Sequence, residues 1–164
     1  PGPVLLLGHS AGAHLAALGA LATDRFLVGC PYPAVTVDGL VGLAGPYDVT
    51  AWAELVQPLF GVPLQGHRDR WAAGDPLAVA ATTDRSGFRV LLAHGDIDDL
   101  VPTYESRSFA AVLERAGATV TLEIVPGADH DTIYSAATAG PLVARWLAGL
   151  SGSAPGAGAE TPAR

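Results

Sequence analysis

Val4–Gly8 is an unbroken apolar run that passes directly into Gly8-His9-Ser10-Ala11-Gly12 and then into a stretch rich in Ala and Leu. A strand without polar alternation needs cover on both faces, the condition of a strand inside a parallel sheet flanked by helices. From Ser10 to Ala22, the residues Ala11, Leu15, Leu18 and Ala22 fall at helical spacing. Strand, sharp turn and helix therefore follow one another within about two dozen residues, which points to the α/β class.

The same alternation recurs. Val37–Ala44 is a second apolar run, closed by Gly45-Pro46, and Phe88–Ala93 is a third. Between them Pro58, Pro63 and Pro76 break the pattern, leaving short helical stretches at Val49–Phe60 and Pro76–Ala81 in an excursion over the top of the sheet. Thr103–Ala116 is predicted helical, with Gly117 as its stop, and Thr119–Val125 is a fourth strand. A last helix is expected from Thr132 to Leu150, interrupted near Gly140-Pro141. Residues 1–150 read as one domain, and 151–164, made largely of Gly, Ala, Pro and Ser, read as a disordered tail. In a parallel sheet ligands bind beyond the carboxyl ends of the strands, so the chemistry is sought after Gly8, Ala44, Ala93 and Val125.

Composition removes several classes of function. Nine basic residues, none of them Lys, stand against sixteen acidic ones, too few and too scattered for a nucleic-acid surface. No apolar run reaches the length needed to span a bilayer, and Cys30 is alone, so no internal disulfide framework exists and a cytoplasmic setting is expected, with a signal peptide upstream of Pro1 as the alternative. His67 and the acidic residues form no ligand pattern for a metal, and no cofactor is expected.

Gly8-His9-Ser10-Ala11-Gly12 fits G-x-S-x-G, in which a serine sits on a strained strand-to-helix turn and flanking glycines let the backbone approach closely. Its position between a buried strand and a helix gives the pattern weight. Ser10 is the candidate nucleophile, and the N–H of Ala11 at the helix start is a candidate oxyanion donor. The bland alternative is Ser10 as an ordinary N-cap. An acid and a base belong on later loops. His94-Gly95-Asp96-Ile97-Asp98-Asp99-Leu100-Val101-Pro102 offers three carboxylates, and Pro126-Gly127-Ala128-Asp129-His130-Asp131 offers the one histidine that follows.

These segments resemble the α/β-hydrolase superfamily, in which H-G-x-x-D-x-x-V-P carries the triad acid and Gly-x-x-His after the last strand carries the base. The resemblance implies Asp98 as acid and His130 as base. Asp96 and Asp99 are then loop-shaping, Asp129 and Asp131 caps for the last helix, and His94 structural. Gly-His-Ser-Ala-Gly-Ala-His-Leu and Gly-Pro-Tyr-Asp resemble the esterase/lipase branch that includes carboxylesterases and kynurenine-formamidase-like enzymes. This implies a serine hydrolase acting on small esters or amides, with His9 and Tyr47 near the substrate or, for Tyr47, in loop packing. Peptidases of the prolyl-oligopeptidase type are the neighbouring alternative.

The resemblance runs from the elbow strand to about residue 149, so it implies a partial fold of about four strands. About four strands, and a His-Gly-Gly-Gly-like loop carrying a second oxyanion donor, are expected ahead of Val4. A chain without them would present Val4–Gly8 as an open edge. That leads to a second reading, a non-catalytic half-domain that associates through this edge.

Overall fold

A computed structural model describes residues 2–151. The expected tail lies outside the described residues except for Ser151. Four parallel strands, β1 (Leu5–His9), β2 (Gly39–Leu43), β3 (Arg89–Gly95) and β4 (Thr119–Val125), lie side by side in chain order. Gly8 pairs with Gly42, Leu43 with Ala93 and Gly95 with Val125. The carboxyl ends of all four strands consequently lie along one rim.

Alternation along the central strands sorts the core into two layers. Leu40, Val90 and Leu92 face α1 (Ala11–Leu21), α5 (Pro76–Ala80) and α6 (Tyr104–Arg115), and they bury Ala13, Ala17, Leu18, Val79, Phe109 and Leu113. Val41, Leu43, Leu91 and Ala93 face the opposite way, onto Ile133 and α7 (Ala136–Ser151). β1 is an edge of the described sheet, with Leu7 58% exposed there and Leu15 of α1 66% exposed. Among the described residues no helix is long and apolar enough to cross a membrane.

Three local expectations are corrected. The last helix does not break at Gly140-Pro141: α7 runs through Pro141, because the helical face of Ala139, Leu142, Val143 and Trp146 against the sheet outweighs one lost backbone hydrogen bond. The break comes earlier. Thr132–Tyr134 is a separate 3-10 turn, and the Ser135 hydroxyl accepts the Thr138 N–H to open α7. Besides the expected α3 (Ala53–Phe60) and α5, the excursion contains a further helix, α4 (Arg68–Ala73), fastened to α3 by Phe60 stacking on the fully buried Trp71. α2 (Thr23–Phe26) is a single further turn after α1.

The two motif glycines are not equivalent. A Cβ on Gly8 would overlap the carbonyl of Gly12 and come within 2.6 Å of the Ala13 nitrogen, whereas one on Gly12 would meet nothing within 4 Å. The turn therefore needs the first glycine for space and not the second. Gly8→Ala is expected to cost about 3 kcal/mol or more in urea denaturation. Gly12→Ala, at a helical position, is expected to stay within about 0.5 kcal/mol of the native chain or gain slightly.

Asp75 caps α5 by accepting the Ala78 N–H at 2.9 Å and is only 3% exposed. Burial raises its carboxyl from 3.8 to about 6, the Ala78 N–H opposing the rise and the charge of Asp48 adding to it. The folded chain thus keeps this proton to higher pH than the unfolded chain does. The group contributes most below pH 3.8, and the contribution is lost as pH rises through 6. Asp75→Asn keeps a cap acceptor, so it is expected to raise stability at pH 8 by up to about 3 kcal/mol. The gain should vanish below about pH 4 in denaturation curves taken across that range.

Candidate active site

Ser10 occupies the corner between β1 and α1 with φ 53° and ψ −126°, a backbone conformation that L-residues avoid. Its N–H donates to Leu43 O at 2.8 Å, and its carbonyl accepts from Ala13 N at 2.9 Å, so strand and helix hold the corner together. The hydroxyl makes no cap bond. It lies 2.9 Å from Nε2 of His130 instead, which removes the N-cap alternative. Ala11 is the first residue of α1, so its N–H belongs to the set that finds no acceptor within the helix.

His130 comes from the loop after β4. Its Nδ1–H donates to Asp98 Oδ2 at 2.8 Å, and Asp98 stands on the loop after β3. Of the three carboxylates on that loop, only Asp98 turns inward, with a side chain 0% exposed. Its Oδ1 accepts the N–H groups of Leu100 at 2.9 Å and Val101 at 2.8 Å. Burial works to raise its carboxyl, but those two N–H groups and the His130 imidazole outweigh it and hold the carboxyl below its ordinary range.

The two loops are fastened to each other. Gly95 admits the backbone of Ala128, which a Cβ would overlap; Ile97 N donates to Ala128 O at 3.2 Å, and Asp96 Oδ1 accepts Gly127 N–H at 2.6 Å. Asp96 thus shapes the loop, and Asp99 is exposed. Asp129 caps as expected, but it caps the Thr132–Tyr134 turn, accepting Thr132 N–H at 2.8 Å. The Asp131 side chain makes no cap bond, since Asp129 already fills that role two residues earlier.

His9 stands beside the base, whereas Tyr47 lies in the core. His9 Nε2–H donates to the His130 carbonyl at 2.8 Å, and its ring sits 4.7 Å from that of His130 and 4.4 Å from Tyr134. Burial lowers the basicity of His9, the His130 carbonyl partly opposing that effect. It braces the loop that carries His130. Tyr47 is fully buried and stacks on Phe109 at 4.1 Å, so it belongs to the core and not to the site mouth. Burial, with the charge of Glu105 adding to it, pushes its hydroxyl well above the ordinary range.

Glu105, which the sequence reading did not single out, anchors the loop after β2. Its carboxylate is 1% exposed and accepts from Tyr47 N, Asp48 N and Trp52 Nε1, each at 2.9 Å. Helical patterning marks position 105 as an inward one, and a charged residue at such a position is a signal for a buried anchor. His14 donates from Nδ1 to Pro46 O at 3.1 Å and steadies the same loop. Leu55 and Leu59 on α3 are exposed, while the partly buried Phe60 stacks on the buried Trp71.

Residues 2–113 match the family model described as BD-FAE. The chain belongs to the BD-FAE family. The matched span includes Ser10 and Asp98 and ends before His130. Esterase LipQ of Mycobacterium tuberculosis (strain ATCC 25618 / H37Rv) is 34% identical over 164 residues, covering 93% of this chain and 38% of its own length. The chain therefore spans well under half of that relative. Among solved structures, a truncated form of a carbohydrate esterase from gut microbiota superposes with a TM-score of 0.67 at 20% identity, over 90% of this chain and 60% of that one. Thermogutta terrifontis esterase 2 phosphoramylated by tabun also gives 0.67, at 21% identity, over 93% of this chain and 56% of its own. These likenesses show the fold alone: four parallel strands and their helices form part of an α/β-hydrolase fold.

The Tyr47 hydroxyl is buried without a hydrogen-bond partner. Tyr47→Phe is accordingly expected to leave any Ser10-dependent reaction unchanged and to hold or raise stability by about 1 kcal/mol, as read from paired thermal melts and reaction rates. A loss of rate at full stability would return Tyr47 to the substrate side.

Proposed function

We propose that the chain is the part of a carboxylic ester hydrolase that carries Ser10 as nucleophile, His130 as general base and Asp98 as the acid that orients it. One observation carries this reading: the unbroken line from Ser10 Oγ to His130 Nε2 at 2.9 Å and from His130 Nδ1 to Asp98 Oδ2 at 2.8 Å. Membership of the BD-FAE family and the 34% identity to an esterase support esters over other acyl substrates.

In this mechanism His130 accepts the Ser10 proton as Oγ attacks the ester carbonyl, and the imidazolium that forms is stabilised by Asp98. Charge developing on the carbonyl oxygen is met by the Ala11 N–H at the positive end of α1. His130 then returns the proton to the departing alcohol. Water, deprotonated by the same imidazole, attacks the acyl-enzyme, and release of the acid restores Ser10. The strained corner at Ser10 holds the oxygen out from the sheet, so little reorganisation precedes attack. No step calls for a metal or an organic cofactor.

Association through the β1 edge is the second reading, supported by the exposure of Leu7 and Leu15. A concentration-dependent mass in sedimentation equilibrium would favour it, and a monomer that reacts at Ser10 would exclude it as the chain's sole function.

The hydrolase reading is tested with a fluorophosphonate probe. Labelling is expected at Ser10 and absent in Ser10→Ala, and Asp98→Asn is expected to slow it by about 10⁴-fold. Labelling that persists in Ser10→Ala would overturn the assignment. Comparing a nitrophenyl ester with the matching anilide separates ester hydrolysis from the peptidase alternative.

A further inference from the structure

Outside the line from Ser10 to Asp98, the most enclosed ionisable side chain near the site is His94, at the end of β3 and 0% exposed. An imidazole at that depth is tolerated only when both ring nitrogens are bonded. Nε2 lies 2.8 Å from the carbonyl oxygen of Val101 and 3.2 Å from Asp98 Oδ2, and Nδ1 lies 2.8 Å from Ser106 Oγ on α6. A carbonyl only accepts, so in the neutral ring the proton sits on Nε2 and the Ser106 hydroxyl donates to Nδ1. That tautomer satisfies both the Val101 carbonyl and the Ser106 hydroxyl.

Two consequences follow for Asp98. The Nε2–H of His94 donates to the Val101 carbonyl while the Val101 N–H donates to Asp98 Oδ1, so Val101 links the His94 ring to the Asp98 carboxylate across one short span. Asp98 Oδ2 is also shared by two imidazoles, His130 at 2.8 Å and His94 at 3.2 Å. Three N–H donors, from Leu100, Val101 and His130, bond the carboxylate, and His94 packs against its fourth side, restricting its rotation.

We infer that His94 is a positioning residue for the proposed reaction: bonded to the Val101 carbonyl and oriented by the Ser106 hydroxyl, it holds the loop that aims Asp98 Oδ2 at His130. The kinetic consequence rests on the hydrolase reading, while the geometry stands without it. The other titratable groups at the site are His130, bonded to Asp98, and His9, whose ring is 4.7 Å from that of His130; Asp96 is turned to the Gly127 N–H, and Asp99 and Asp131 are exposed. Glu105 on α6 is directed instead at Tyr47, Asp48 and Trp52.

The test compares the native chain with His94→Leu, His94→Gln and Ser106→Ala. Gln keeps a donor near the place of Nε2, and Ser106→Ala removes only the hydroxyl that sets the tautomer. Two quantities are read between pH 5 and 9: the far-downfield proton resonance of the His130–Asp98 hydrogen bond, and the rate of fluorophosphonate labelling. The native chain is expected to show the resonance, His94→Leu to lose or broaden it, and His94→Gln to recover most of it. Labelling in His94→Leu is expected to fall by about tenfold to a hundredfold, the scale of a displacement near 1 Å, with its acidic limb moved to lower pH because the imidazolium has lost an aligned partner. Ser106→Ala should shift both quantities the same way by less, and it decides the matter if His94→Leu does not fold. A folded His94→Leu or Ser106→Ala chain with the native resonance and acidic limb would overturn the assignment. Absence of labelling in the native chain counts against the hydrolase reading alone, since the resonance still decides the role of His94.

Discussion

The structure turns on the backbone of one residue. Ser10 holds a positive φ that an L-residue adopts only under constraint, and the constraint comes from the close approach of Gly8 to Gly12 and from the bond between Ser10 N–H and Leu43 O. The first holds α1 against the end of β1, and the second ties the corner to β2. With both in place the hydroxyl is excluded from capping the helix and has one partner, His130. An unfavourable local conformation is thus maintained by the sheet and the helix together.

The opposite side of the site is held by loop-to-loop contact. The loop after β3 and the loop after β4 share backbone bonds, a glycine that lets them close up, and the Asp96 carboxylate on the Gly127 N–H. His9 reaches across from β1 to the carbonyl of His130, so the base is gripped from both directions. None of these groups reacts in the proposed chemistry. Together they define where the imidazole stands.

Much of this was legible in the sequence because it depends on local patterning. The four strands, the helix after the elbow and the order of serine, acid and histidine follow from apolar runs and loop composition. The choice of Asp98 among three neighbouring carboxylates did not follow from spacing; it came from resemblance, and the geometry singles out the same residue through its inward side chain. What escaped depends on contacts between distant segments. Tyr47 looks like a loop residue until Phe109, far along the chain, is seen beneath it. Gly8 and Gly12 look alike until the close approach between them is seen to be one-sided. Pro141 reads as a break, but the helix around it is held by the sheet it covers.

The strand order has a last consequence. Because β1 to β4 lie in sequence order, Ser10 and His130 start from opposite edges of the described sheet, three strand spacings apart, or about 14 Å. Their side chains and loops close that gap to a single hydrogen bond of 2.9 Å. A small change in the twist between neighbouring strands is multiplied across the width of the sheet before it reaches that bond. The Ser10–His130 distance therefore depends on all three strand pairings between β1 and β4, as well as on the two loops.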